Sequence, residues 1–173
     1  MKKIFSIIIA LVLIFLFASC KQPASQEQTS QLPNPIVEVD GSADFESLGA
    51  SITAPEGAES AAYSIIADTT AQINFTLDGR AYTYRAAKTE DDISGVYETF
   101  DDAQETFNLD AADFSVAVLV RTIDGGAGGA LATWSLDGVA YSLYSADDST
   151  IESMSDTALL CAYADLPFGA CIG

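Results

Sequence analysis

Histidine is absent from all 173 residues. That excludes the chemistries that need an imidazole: Ser-His-Asp and Cys-His nucleophile systems, histidine general acid–base catalysis and ordinary zinc sites. Cations are scarce as well, with seven Lys and Arg against 25 Asp and Glu. Neutralising phosphate takes clustered Lys and Arg, so nucleic acid and anionic headgroups are excluded as partners. Such a balance favours solubility and, among partners, a cationic one. No Asp-x-Asp-x-Asp-Gly calcium loop is present. The glycine-rich stretch Gly125-Gly126-Ala127-Gly128-Gly129 is neither a dinucleotide fingerprint, since Leu131 stands at the third glycine position, nor a P-loop, since no Lys-Ser/Thr follows. It reads as an interstrand connection. No metal, cofactor or catalytic residue is expected.

What the chain does have is a marked beginning. Met1, Lys2 and Lys3 precede Ile4–Ala18, in which Ser6 is the only polar residue, and Ala18 and Ser19 lead to Cys20. A positive end, an apolar run and a small-residue exit make a secretory signal. The run is shorter than the roughly 18 residues of a spanning helix. Phe17-Ala18-Ser19-Cys20 resembles a bacterial lipobox, which implies cleavage before Cys20 and a diacylglycerol on its thiol. At about 0.8 kcal/mol per buried CH₂, two or three acyl chains hold a protein firmly on a membrane. The expected organisation is a signal over 1–19, a lipidated Cys20 with a Gln-, Ser- and Pro-rich tether over 20–35, and one domain over 36–173. The mature chain then carries five basic and 25 acidic residues, a formal balance of −20.

With Cys20 acylated, Cys161 and Cys171 remain. In an oxidising compartment they form a possible disulfide, worth roughly 3 kcal/mol by the short loop it closes. Alternatively, Cys161 is a small buried hydrophobe.

Periodicity supplies the fold class. Ile36–Asp40 suggests a short strand, Ser42 a cap for a short helix over Ala43–Leu48 closed by Gly49, and Ala61–Ala67 another strand. From Ala71 to Asp78, Ile73, Phe75 and Leu77 alternate with Gln72, Asn74 and Thr76, and Asp78-Gly79 signals a two-residue hairpin. That turn pairs Phe75 with Tyr82 and Ile73 with Tyr84 on one face. The unit recurs 59 residues on, around Asp137-Gly138, pairing Trp134 with Tyr141. Thr89–Asp110 is acidic and reads as irregular, and Phe114–Thr122 as a strand. Ser149-Thr150-Ile151-Glu152 fits a capping box, opening a helix whose apolar face is Ile151, Met154, Ala158, Cys161 and Ala162 and which Pro167 ends. The class is α+β: an antiparallel sheet of about five to seven strands around two Asp-Gly hairpins, with a short N-terminal helix and a longer C-terminal helix on one face.

Several groups are weighed as sites. Glu90-Asp91-Asp92, Asp101-Asp102 and Asp147-Asp148 would suit a carboxylate-based hydrolase only if a pair flanked a substrate, and solvated surface is the plainer reading. Tyr82, Tyr84, Trp134 and Tyr141 would line an apolar or sugar-binding surface or, more simply, face the core beneath the helix. Arg85 and Lys88 read as neutralising acids such as Glu90 or Asp92.

Asn34-Pro35-Ile36-Val37, Tyr84-Arg85-Ala86-Ala87-Lys88, Asp91-Asp92-Ile93-Ser94-Gly95, Ala132-Thr133-Trp134 and Tyr141-Ser142-Leu143 together resemble a bacterial domain-of-unknown-function family, numbered forty-three sixty-seven. The likeness covers about Asn34 to Tyr163. It implies a small extracytoplasmic domain, often on a lipoprotein, chiefly in Gram-positive bacteria, and it brings no catalytic residue with it. The resulting expectation is a non-catalytic binding or accessory domain, lipid-anchored at the cell membrane, facing outside the cytoplasm, with an envelope protein or cationic molecule as partner. The alternative is a carrier or sensor of a lipid or other apolar ligand, which needs an enclosed pocket of several hundred Å³ beneath the helix. A carboxylate hydrolase comes third.

Overall fold

The computed structural model describes residues 35–111, 114–123, 128–148 and 150–165. The signal, Cys20, the tether, Ser149, Pro167 and Cys171 lie outside them. Eight strands form one antiparallel sheet: β1 (Ile36–Val39), β2 (Glu59–Ile66), β3 (Thr70–Leu77), β4 (Arg80–Ala87), β5 (Phe100–Ala111), β6 (Phe114–Ile123), β7 (Ala130–Leu136) and β8 (Val139–Ser145). A 3-10 helix, η1 (Ser42–Leu48), follows β1, and an α-helix, α1 (Ile151–Asp165), follows β8. Across the sheet the order is β1-β2-β3-β4-β8-β7-β6-β5. The sheet therefore consists of two four-strand meanders joined between β4 and β8.

Both Asp-Gly turns have the paired positive φ angles of a type I′ hairpin: 51° and 78° at Asp78 and Gly79, 52° and 76° at Asp137 and Gly138. Their strands pair Phe75 with Tyr82, Ile73 with Tyr84, and Trp134 with Tyr141. The two repeated hairpins lie back to back, and Tyr84 pairs directly with Leu143, its counterpart 59 residues later. Equivalent positions facing each other place a local pseudo-twofold at the centre of the sheet.

One face of the sheet is sealed. Ile73, Phe75, Tyr82, Tyr84, Leu143, Ala132, Trp134, Val118 and Val120 form a continuous buried core with Met154, Ala158, Cys161 and Ala162 of α1. Phe45 of η1, with Ala50 and Ile52 just after it, belongs to the same core, and its ring lies 6.1 Å from that of Tyr63. Burying each of the large side chains contributes roughly 1.5–3 kcal/mol. Tyr82, Tyr84, Trp134 and Tyr141 belong to this core, and of the four Tyr141 alone is half-buried. Tyr84 stacks on Trp134 at 5.7 Å and Trp134 on Tyr141 at 5.4 Å.

Several elements differ from the sequence expectation, each for a physical reason. The sheet has eight strands, because Phe100–Ala111, expected to be irregular, is the edge strand β5. A register shift between Phe100 and Gln104 breaks its alternation, and an edge strand tolerates charge that a central one does not. The N-terminal helix is 3-10 and starts from Gly41 rather than Ser42; the Asp44 carboxylate accepts the amides of Asp40 and Gly41 at 3.1 and 3.3 Å. Helix α1 begins one residue later than the Ser149 capping box would have it. Thr150 is the cap, its Oγ1 accepting the Ser153 amide at 3.2 Å, so Glu152 does not stand at the third helical position.

Cys161, half of the possible disulfide with Cys171, is a free, fully buried thiol, and burial pushes its pKa up. Its surroundings are those of a small hydrophobe. Cys171 lies outside the described residues.

Candidate functional site

Pairing register assigns each strand residue to a face. The face away from α1 carries Gln72, Asn74, Thr76, Thr83, Ser142, Tyr144, Thr133 and Ser135. Among the described residues from β3 across to β6, this face holds no carboxylate; Arg85 and Arg121 are its only charged side chains. In a chain with 25 acids that is a marked segregation of charge.

A twelve-residue connection, 88–99, runs between β4 and β5 without secondary structure of its own. Loops of that length in compact domains are commonly functional. Arg85 fastens it to the open face. Its Nη1 donates to the carbonyls of Ile93 and Ser94 at 3.1 and 2.6 Å, and its Nε donates to Gln72 Oε1 at 2.8 Å. Gln72 in turn donates to Ser64 Oγ at 3.3 Å, so three strands and the loop share one polar network. Gly95 makes the approach possible: its φ is +66°, and a Cβ there would stand 2.5 Å from Arg85 Nη1. The hydrogen bonds of Arg85 therefore go to loop carbonyls and an amide; of the acids that the sequence suggested, Asp92 acts on it through charge rather than through a hydrogen bond. The Tyr-Arg-Ala-Ala-Lys and Asp-Asp-Ile-Ser-Gly segments, separate in sequence, meet through this contact. Burial lowers the Arg85 pKa, while Tyr97 and Asp92 oppose the shift.

Between this loop and β6–β7–β8 lies a groove of about 620 Å³. Glu90, Asp91 and Asp92 are on its loop side; Ala117, Arg121, Thr133, Ser135, Ala140 and Ser142 belong to the sheet side; Trp134, Gly138 and Tyr141 complete it at the second hairpin. The Arg121 guanidinium lies 4.0 Å from the centroid of the Phe100 ring, and its Nε is buried with no hydrogen-bond partner among the described residues. Tyr97, on the same loop, is 98% exposed. Neither Arg121 nor Tyr97 was singled out from sequence. The scarcity of cations was the available signal for Arg121, since each remaining one needs a reason.

The acidic runs do not converge. Asp91 and Asp92 accept local bonds, from Thr89 Oγ1 at 3.3 Å and the Ser94 amide at 2.8 Å. Asp101 accepts from Thr122 Oγ1 at 2.8 Å, and Asp147 from the Ala81 amide at 3.0 Å. Asp148 is buried and accepts from the Tyr82 hydroxyl at 3.1 Å. Among the described residues no three of these acids, with or without cysteine, stand as a metal-holding group.

A different carboxylate is the perturbed one. Asp165, the last residue of α1, accepts a hydrogen bond from the Tyr84 hydroxyl and another from the Thr53 amide at 2.6 Å. It thus ties the helix, the segment after η1 and β4 together. Burial raises its pKa to about 7, against the lowering effect of both hydrogen bonds. The Tyr84 hydroxyl is itself pushed up by its own burial and then by Asp165. Asp165 stands alone as a carboxylate in this network, which gives it a structural task at the seam.

Compared with protein-family models, curated proteins and solved structures, the chain matches none.

Proposed function

We propose that the protein is a lipid-anchored, extracytoplasmic domain that binds an envelope component through the open face of its sheet and performs no chemistry on it. The observation that carries this reading is the asymmetry of the two faces. The α1 face is sealed by a packed core; the other, although Leu131 and Ser142 are buried in it, is among the described residues free of carboxylates across five strands and is walled by a loop that Arg85 fixes in place. A ligand surface held on rigid strands beside a positioned loop is the usual construction of a recognition site. The lipobox-like Phe17–Cys20 supports the setting outside the membrane.

The packing disfavours a carrier. Met154, Ala158 and Cys161, all fully buried, lie in the same core as Tyr84, Val118, Val120 and Leu143, where an apolar ligand would have to go. No helix among the described residues is long and apolar enough to cross a membrane, and the anchor is assigned to Cys20. Metabolic labelling with a palmitate analogue tests that assignment: acylation is expected in the native protein and lost in Cys20→Ala. Continued labelling of the variant refutes the anchor. Cross-linking on intact cells, followed by purification of the full chain, is expected to recover an envelope component attached near Tyr97 or Ser135. Attachment confined to the α1 side would overturn the open face as the binding surface.

A further inference from the structure

We propose that the groove between the 88–99 loop and β6–β7–β8 takes a net-neutral polyhydroxylated chain, a glycan of the cell envelope, with Arg121 as its anchor. The inference rests on the open-face reading above and names its ligand class. Three observations converge on it. The first is charge. Glu90, Asp91 and Asp92 stand on one side of the groove and Arg121 on the other. An anionic ligand meets the three acids, and a cationic one meets Arg121 in a site already furnished with its own positive charge. A neutral polyol donates to carboxylates and accepts from a guanidinium along the same chain.

The second is the sheet side. Thr133 and Ser135 bring hydroxyls, while Ala117 and Ala140 project little. Hydroxyls act as both donors and acceptors and so match sugar hydroxyls in either sense. The third is Arg121. Its Nε is buried with no hydrogen-bond partner among the described residues, a costly condition that a bound oxygen relieves. The groove volume, about 620 Å³, falls within the roughly 300–1,000 Å³ of small-ligand clefts.

The test uses the full chain in detergent micelles. The reporters are the amide resonances of Thr133 and Ser135, which lie on the sheet side of the groove. The probes are four neutral tetrasaccharides (of β-1,4-linked N-acetylglucosamine, β-1,4-glucose, α-1,4-glucose and mannose), a sulfated heparin tetrasaccharide and tetralysine. At least one neutral probe is expected to move the amide resonances of Thr133 and Ser135 saturably. Arg121→Ala is expected to weaken that binding at least tenfold. Because Arg121 also packs on Phe100, Ser135→Leu serves as a second variant at an exposed position, with the same expected loss. Phosphatidylcholine vesicles with and without diglucosyl diacylglycerol separate the sources: a response confined to the glycolipid vesicles assigns a headgroup, and a response to soluble sugar assigns a free or wall glycan. A response to heparin or tetralysine alone overturns the neutral class and leaves the open-face reading intact. Silence of both reporters with every probe overturns the glycan proposal, while the cross-linking result decides the binding reading separately.

Discussion

Single residues carry more of this site than any motif does. Gly95 is the clearest case. Its backbone lies in the left-handed region, and the Arg85 guanidinium occupies the space where a side chain would begin. Gly95→Ala must both strain φ and push Arg85 off the Ile93 and Ser94 carbonyls. The expected cost is about 1–3 kcal/mol, read as a lowered urea midpoint, with faster amide exchange over 93–96 than elsewhere. Asp165 sets a pH dependence. Its folded pKa, about 7, lies above the ordinary carboxyl value, so the folded state holds its proton more tightly than the unfolded chain. The stability it contributes is complete below about pH 4 and declines as pH rises toward 7, by on the order of 4 kcal/mol across that window. Asp165→Asn removes this slope. Denaturation of both proteins at pH 5 and pH 8 checks it: the gap between the two pH values is expected to shrink in the variant, and an unchanged gap assigns the dependence elsewhere.

Elements show where sequence signals were strong and where they failed. The Asp78-Gly79 and Asp137-Gly138 turns were legible because two consecutive positive φ angles leave few residue choices, and alternation then assigns the faces. Helix α1 was legible from Met154, Ala158, Cys161 and Ala162, all buried at helical spacing. Its start was not, because Ser149 and Thr150 are both competent caps and the choice between them is made by the fold. Thr150→Ala is therefore expected to cost about 1 kcal/mol in thermal or urea unfolding. Strand β5 escaped notice because its register shift breaks period two and its acids look like loop. Nor could any local pattern show that the strand after β4 crosses to the far edge, so that β8 returns to lie beside β4. That pairing is a long-range consequence of the two similar hairpins meeting at Tyr84 and Leu143.

For the whole molecule, composition excluded much and located little. The missing histidine and the scarce cations ruled out chemistries without showing where the acids were not. Only the assembled sheet reveals the carboxylate-free face, because the open side of β3, β4, β8, β7 and β6 draws its residues from positions 70 to 144. Arg121 and the loop acids are some thirty residues apart in sequence and line one groove. The aromatic rings, by contrast, are legible as core, since alternation puts Tyr82, Tyr84 and Trp134 on the same face as Ile73 and Leu143.

The sheet does not close on itself, and its last strand is β5, whose twelve residues include Asp101, Asp102, Glu105 and Asp110. An unpaired edge is a template on which a neighbouring chain can add a strand. An acidic edge repels its own copy, and that repulsion guards against polymerisation. Salt screens that guard while the backbone template remains, so self-association is expected to rise with ionic strength, as light scattering across a salt series would read.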